Sequence, residues 1–300
     1  MALFHKALGL VRHLATHPAT QPSRTRSLTG SLWRALLGGP GLAALLLVQP
    51  AAAQQTDTIR VGDRRLRTAR VKPGTRQYLV YFLNPAQPKM LGFWLWRREL
   101  QITQLRGEPA FQISQHWYGS DTSSYREVCS LVRAADFAPL YHAETVKGRR
   151  KVYNWSPTGV AGADSVPGNS AQAYQLAFRH PAFNWNLDIE TFELLPLAAG
   201  KRFAIPFHDA GSNPPTYVVY TVTGWEELAV PGGRPVACWK LVTQGLTPAG
   251  APYTQTFWLS QRDQEFLKEE DHYPGGLFRY KIKTGTVPGT FPKRNLRGTP

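Results

Sequence analysis

Along most of the chain, apolar residues come in short runs that alternate with polar ones at a period of two. The clearest case lies near the C-terminus. There Phe278, Tyr280 and Ile282 fall on one face and Arg279, Lys281 and Lys283 on the other, the pattern of a half-buried strand. Similar runs rich in Val, Ile, Thr, Tyr, Phe and Trp, punctuated by Gly, Pro and Asn, predict strands over 77–83, 93–105, 110–118, 125–133, 140–146, 150–155, 201–207, 217–223, 236–243, 257–260 and 265–271. The segment 217–222 is apolar on both faces, so one of them must meet something other than water, a core helix or a ligand.

One stretch breaks the pattern. Over 186–197, Ile189, Phe192 and Leu195 recur at helical spacing behind Asn186 as a cap, and Pro196 and Gly200 end the run. Asp188, Glu190 and Glu193 sit early in it, where acids complement the helix dipole. The Gly- and Pro-bearing segment 156–170 reads as a loop. Together these elements predict a mainly β domain: a strongly curved antiparallel sheet, an open half-barrel, with one or two short helices. The domain spans 54–286, and 287–300 reads as a loose tail.

Ahead of this domain the chain changes character. Residues 1–34 carry Lys6, Arg12, Arg24, Arg26 and Arg34 with no acid, an apolar run follows over 35–48, and Ala51 and Ala53 supply a small-residue cleavage pattern. That is the layout of a secretory leader cut between Ala53 and Gln54. A membrane-spanning helix needs about 20 unbroken apolar residues, and this run is shorter and interrupted by Gly38-Gly39-Pro40-Gly41. No cysteine stands near the cut to carry a lipid anchor, so the mature product is expected free in the periplasm and not membrane-spanning.

Charge narrows the partners. Five of the 35 basic residues lie in the leader, leaving 30 against 20 acids and a net charge of +10 for the rest. An exported basic protein meets anionic lipid headgroups and cell-wall polymers before it meets nucleic acid. The densest basic stretch, 60–72 with Arg64, Arg65, Arg67 and Arg70, reads as an edge strand defended by charge. A second cluster, Arg149-Arg150-Lys151 after Gly148, reads as a solvated hairpin turn. Cys129 and Cys238 both fall in the exported part, where an oxidising compartment permits a disulfide; two buried free thiols are the alternative.

Catalytic signals are sparse. Gly162-Ala163-Asp164-Ser165 lacks the closing glycine of a nucleophile elbow and reads as a turn. Asp188 with Glu190 or Glu193 is the one dense acidic candidate for a carboxylate-pair hydrolase. His116, His142, His180, His208 and His272 are scattered singly, so no metal-ligand spacing is present, and no Walker loop or dinucleotide fingerprint supports a nucleotide cofactor. The aromatic load says more. Trp94, Trp96, Trp117, Trp185, Tyr220, Trp239 and Trp258 mostly fall on predicted strands, where they either fill the core or line an apolar cavity inside the curved sheet.

The C-terminal third carries a resemblance, in Cys238-Trp239-Lys240-Leu241, Thr256-Phe257-Trp258-Leu259-Ser260, Phe266-Leu267-Lys268 and Phe278-Arg279-Tyr280-Lys281. With Gly162-Ala163-Asp164-Ser165 and 184–192, these words resemble a family of exported Gram-negative envelope proteins of unknown function whose fold is similar to the lipoprotein carriers LolA and LolB. The resemblance, over about 70–285, implies an open half-barrel wrapped over short helices with an apolar concave face able to hold acyl chains, and it transfers no active site. Three functional expectations follow, in this order: a periplasmic binding or carrier protein for a lipid or other hydrophobic envelope component, with 64–70 meeting an anionic head; a structural or assembly partner for another envelope protein; and a hydrolase of an envelope polymer using Asp188, Glu190 or Glu193.

Overall fold

The computed structural model describes residues 55–284, with the side chains of 87–91 outside that description. The expected leader with its cut between Ala53 and Gln54, and the expected tail from 287 on, lie outside the described residues.

Strands dominate. The first half contains β1 (Thr56–Thr58), β2 (Gly74–Asn84), β3 (Gln87–Leu105), β4 (Glu108–Tyr118), β5 (Arg126–Arg133), β6 (Pro139–Val146), β7 (Arg149–Ser156), β8 (Gly159–Gly162) and β9 (Gln175–Ala177). After β10 (Phe183–Asn184) and a 3₁₀ turn (Trp185–Leu187) comes one α-helix, α1 (Asp188–Leu194). The second half is β11 (Arg202–His208), β12 (Thr216–Leu228), β13 (Val236–Leu246), β14 (Pro252–Ser260), β15 (Phe266–Tyr273) and β16 (Leu277–Lys283).

Two antiparallel meanders, β2 to β9 and β11 to β16, are joined by pairing of β16 with β2. Consecutive strands pair because their connections are tight. Arg106-Gly107 and Lys147-Gly148 both take positive φ in two-residue turns, the geometry that matches strand twist. The sheet is not wholly antiparallel, since β1 and β10 both run parallel to β11. Nor is it closed, because β1 and β9 end the path as its two edges. Curling nonetheless brings side chains from the two halves together: Tyr153 and Trp155 of β7 reach Gly211 and His208, and Tyr174 Oη donates to the Ser212 carbonyl at 3.1 Å.

Alternation along each strand sends one set of side chains to the concave face. There Tyr78, Val80, Trp96, Ile113, Phe203, Ile205, Phe207, Tyr220, Leu241, Phe257 and Phe266 form one continuous core around α1. The helix buries Ile189, Phe192 and Leu194, so it acts as a plug inside the curved sheet. It is shorter than the predicted 186–197: Asn184 rather than Asn186 caps the preceding turn, accepting from the Asn186 amide at 3.0 Å, and Leu195 is already extended.

Because the strands form meanders, their turns alternate between two ends of the sheet. The end bearing the β3–β4, β5–β6 and β14–β15 turns is closed by residues 59–71, with Ile59 and Leu66 buried in the core and the Arg67 amide bonded to the Leu194 carbonyl. This corrects the reading of 60–72 as an edge strand. Its charges are used locally: Arg65 pairs with Asp57 and Asp63, while Arg67 and Arg70 both donate to the Gln264 side chain. Four shorter strands escaped the pattern because pairing partners, not composition, create them: β8 lies inside the supposed loop 156–170 and pairs with β9, and β1 and β10 borrow their register from β11.

Candidate functional site

The opposite, open end carries the β2–β3, β4–β5, β6–β7, β13–β14 and β15–β16 turns. Inward-facing residues there are only half-buried: Phe82, Trp94, Trp185, Val218, Tyr253 and Tyr273 form apolar and aromatic walls. Below them Trp96 and Trp117, cross-strand partners on β3 and β4, stack with ring centroids 4.4 Å apart. Cations surround this pair. The Arg98 guanidinium lies 4.7 Å and the Lys281 ammonium 5.4 Å from the Trp96 ring, and Arg126 stands 6.0 Å from Trp117. The Trp96 and Trp117 indole N–H groups are buried without a hydrogen-bond partner, an arrangement that ordinarily costs about 1–3 kcal/mol per donor.

The acids of α1 each face a different cation. Arg98 embraces Glu190, Nε donating at 3.0 Å and Nη2 to the second oxygen, and also donates to the Asn186 carbonyl at 3.3 Å. Arg76 pairs with Glu193, whose carboxylate also accepts from the Phe266 amide at 2.9 Å. Burial raises the Glu193 carboxyl above its usual range, and Arg76 opposes that shift. Asp188 is half-exposed yet deeply surrounded by protein; burial raises its carboxyl, with Lys281 opposing and Glu269 adding to the rise.

Next to Asp188 the sheet supplies its own network. Lys281 donates to Glu269 at 2.5 Å, Arg279 donates to Glu269 at 2.7 Å and pairs with Asp271, and Asp271 also accepts from Gln255 and Tyr273. Two carboxylates sharing two cations separate their titrations. Burial, reinforced by Glu269, pushes Asp271 up to about 7. Glu269 experiences the same burial, but Lys281 and Arg279 outweigh it and hold the carboxyl below its usual range.

A second polar cluster ties the two halves of the sheet together. His142 Nδ1 is 2.9 Å from Ser130 Oγ and 3.2 Å from Asn184 Nδ2, a donor that leaves Nδ1 the acceptor. Asn186 then bridges Asp209 and Arg126, which also pairs with Glu144. A Ser–His–carboxylate grouping invites a hydrolase reading, but Ser130 is 0% and His142 1% exposed, so no substrate reaches the hydroxyl. Burial pushes the imidazole down to about 4, against the attraction of Asp209 and Glu144. An unfolded His titrates near 6.5. Between those values the unfolded chain binds a proton that the folded chain refuses, so this group's stability contribution is complete above about 6.5 and is lost as pH falls toward about 4. Urea unfolding of the wild type is therefore expected to lose up to about 3 kcal/mol more than His142→Gln across that window. Parallel pH profiles for the two proteins would remove the assignment.

The aromatic residues expected to line a cavity do not all converge. Trp94, Trp96, Trp117, Trp185 and Tyr220 lie in or against the core on the concave face. Trp239 shares that face but points toward the closed end, beside Trp225, which is 58% exposed after the bulge at Gly224. Trp258 is separated from all of them: it alternates with the inward Phe257 and Leu259, packs with Cys238 and Leu267 on the convex side, and donates to Glu226 at 2.6 Å. A shallow open groove lies between 73–75 and 99–102, and none of these aromatics lines it.

Cys129 and Cys238 are free thiols, seven strand steps apart along the sheet, so the permitted disulfide is not formed. Burial raises both, Cys238 to about 11. Asp164 and Ser165 occupy an exposed turn, and Gly162 is required there for space, since a Cβ would stand 1.9 Å from the Ala171 carbonyl oxygen. Among the described residues no cluster of His, Cys, Asp or Glu has the arrangement of a metal site, and no helix is long and apolar enough to cross a membrane.

The charged floor was missed, yet it had a signal. Arg98 stands between Trp96 and Leu100, Gln115 between Ile113 and Trp117, and Ser130 between Val128 and Val132: polar residues at inward positions of otherwise apolar strand faces.

The family model described as "Protein of unknown function (DUF3108)" matches residues 77–283, and the chain belongs to that family. A search of curated proteins found no match. Among solved structures, the beta-barrel-like protein of domain of unknown function DUF1849 from Brucella abortus is similar at 10% identity and a TM-score of 0.36, covering 73% of this chain and 97% of that one.

Proposed function

We propose that this DUF3108 member is a periplasmic binding or carrier protein, not an enzyme, whose open concave end takes a lipid or other hydrophobic envelope component. The observation that carries this reading is the stacked Trp96–Trp117 pair: two buried indole donors without acceptors, ringed by Arg98, Arg126 and Lys281, beneath half-buried aromatic walls. Apolar walls with a few convergent polar groups are the usual makeup of a small-molecule site. The chain of such a ligand would lie against the half-buried Trp94 and Trp185, and an anionic or carbonyl-bearing head reaches the indole donors, in side chains 2% and 6% exposed, only when these walls part. The basic stretch 64–70 has no part in this, since it closes the other end.

The hydrolase reading finds less support, because Glu190 and Glu193 are each committed to a guanidinium and do not face one another as a catalytic pair. The reading as an assembly partner draws on the convex face. There Ile282, Leu79, Leu95 and Tyr118 form one cross-strand row, and Tyr280, Tyr81 and Phe93 the next, with Phe93 44% exposed. Titration with a long-chain amphiphile brominated on its chain separates the readings. Binding in the open end quenches tryptophan fluorescence through Trp94 and Trp185; a pure assembly partner shows no saturable quenching.

A further inference from the structure

We infer that the β6–β7 hairpin docks the open end of the sheet onto an anionic lipid surface. The hairpin is short and tight, with Lys147 and Gly148 both at positive φ, and it presents Lys147, Arg149, Arg150 and Lys151, all exposed. None of the four makes an ion pair with a described carboxylate. The basic residues of the concave floor differ, since Arg76, Arg98, Arg126, Arg279 and Lys281 each have an acidic partner; Arg106, Arg179 and Arg234 are exposed without a described one, but they stand singly and not as a cluster on one turn. Two of the acids facing the hairpin are occupied, and a third, Glu127, lies two strands from Arg150 through Thr145 without an ion pair to it. Asp121, close enough to feel Lys147, accepts from Ser123 and the Ser124 amide, and Glu144, the cross-strand partner of Lys151, is taken by Arg126.

Unpaired cations fixed on a rigid hairpin attract an anionic surface of any kind. The neighbouring connection favours lipid over a hydrated polyanion. On the adjoining β4–β5 end, Tyr118 is 42% exposed and packs 5.5 Å from Tyr125, and tyrosine is a side chain suited to the membrane–water interface. The half-buried apolar walls of the concave face open at this same end, so docking would place them at the headgroup level. A chain carrying +10 outside its leader would repel a second copy there. This inference extends the binding reading but does not depend on it.

The test is co-sedimentation of the full protein with phosphatidylcholine vesicles with and without phosphatidylglycerol. Binding is expected only with the anionic lipid, and to weaken with added salt. Each cation near such a surface is worth about a fivefold change in affinity. The Arg149→Gln/Arg150→Gln protein should therefore bind on the order of twentyfold more weakly while unfolding at the wild-type urea midpoint, since both side chains are exposed. Trp94→Phe/Trp185→Phe, which is expected to lose quenching by the brominated amphiphile, should keep vesicle binding, so failure of the two ideas can be told apart. Equal binding to neutral vesicles, unchanged binding by the hairpin variant, or retention on an anionic polysaccharide without vesicle binding would overturn the inference.

Discussion

Replacing Arg98 with Met is expected to destabilise the protein by about 3–5 kcal/mol, the largest effect of any single change to the concave floor. Arg98 is 3% and Glu190 4% exposed. Removing the guanidinium leaves a carboxylate in a site built for an ion pair, strips the Asn186 carbonyl of one donor, and removes the cation over Trp96. Most of the loss comes from the stranded charge and not from the intrinsic worth of the pair. A double replacement, Arg98→Met with Glu190→Met, should therefore be more stable than Arg98→Met alone. Urea unfolding decides it: if the two single losses simply add in the double variant, the pair is not coupled as described.

The second large effect is at Phe192. Its ring is fully buried and meets Tyr220 at 4.7 Å, Phe257 at 4.9 Å and Phe207 at 6.0 Å between centroids. The helix holds itself inside the sheet mainly through this side chain, with Ile189 and Leu194 on either side. Phe192→Ala should cost about 3–5 kcal/mol, because the aromatic neighbours belong to three different strands and cannot all move in to fill the space. Phe192→Leu keeps most of the volume and should cost far less. Equal unfolding midpoints for the wild type and the alanine variant would mean that α1 is not the core of the fold.

Most of the β architecture was legible because a strand with one wet face writes its own alternation into the sequence. The strands β2 to β7 and β11 to β16 lie where their short apolar and aromatic runs put them, but alternation misleads about the faces of β16: Arg279 and Lys281 turn inward to Glu269 and Asp271, and Phe278, Tyr280 and Ile282 lie on the convex side. Where a segment's structure depends on a partner and not on its own pattern, the reading fell short. Residues 60–72 look like a charged strand, yet Leu66 is drawn into the core, Arg65 turns back on Asp63 two residues away, and Arg67 and Arg70 find Gln264, nearly 200 residues on, a contact that no local pattern encodes. The concave floor failed for a related reason. Glu190 looked like a helix-dipole acid because its partner Arg98 is 92 residues away. Likewise His142 faces Ser130 through hairpin pairing of β5 with β6, but only the curl of the sheet brings Asn184 to it. Trp258 shows the converse: alternation alone assigns it to the face opposite Phe257 and Leu259, so its exclusion from the concave set was available from sequence.

The reading of the open end as a binding site is tested most directly by the brominated amphiphile. Detergent-free wild-type protein should show saturable quenching of its tryptophan emission, and Trp94→Phe/Trp185→Phe should lose most of it, since Trp225 and Trp258 lie at the closed end and on the convex face. No quenching at any amphiphile concentration, or quenching that survives both substitutions unchanged, would contradict it.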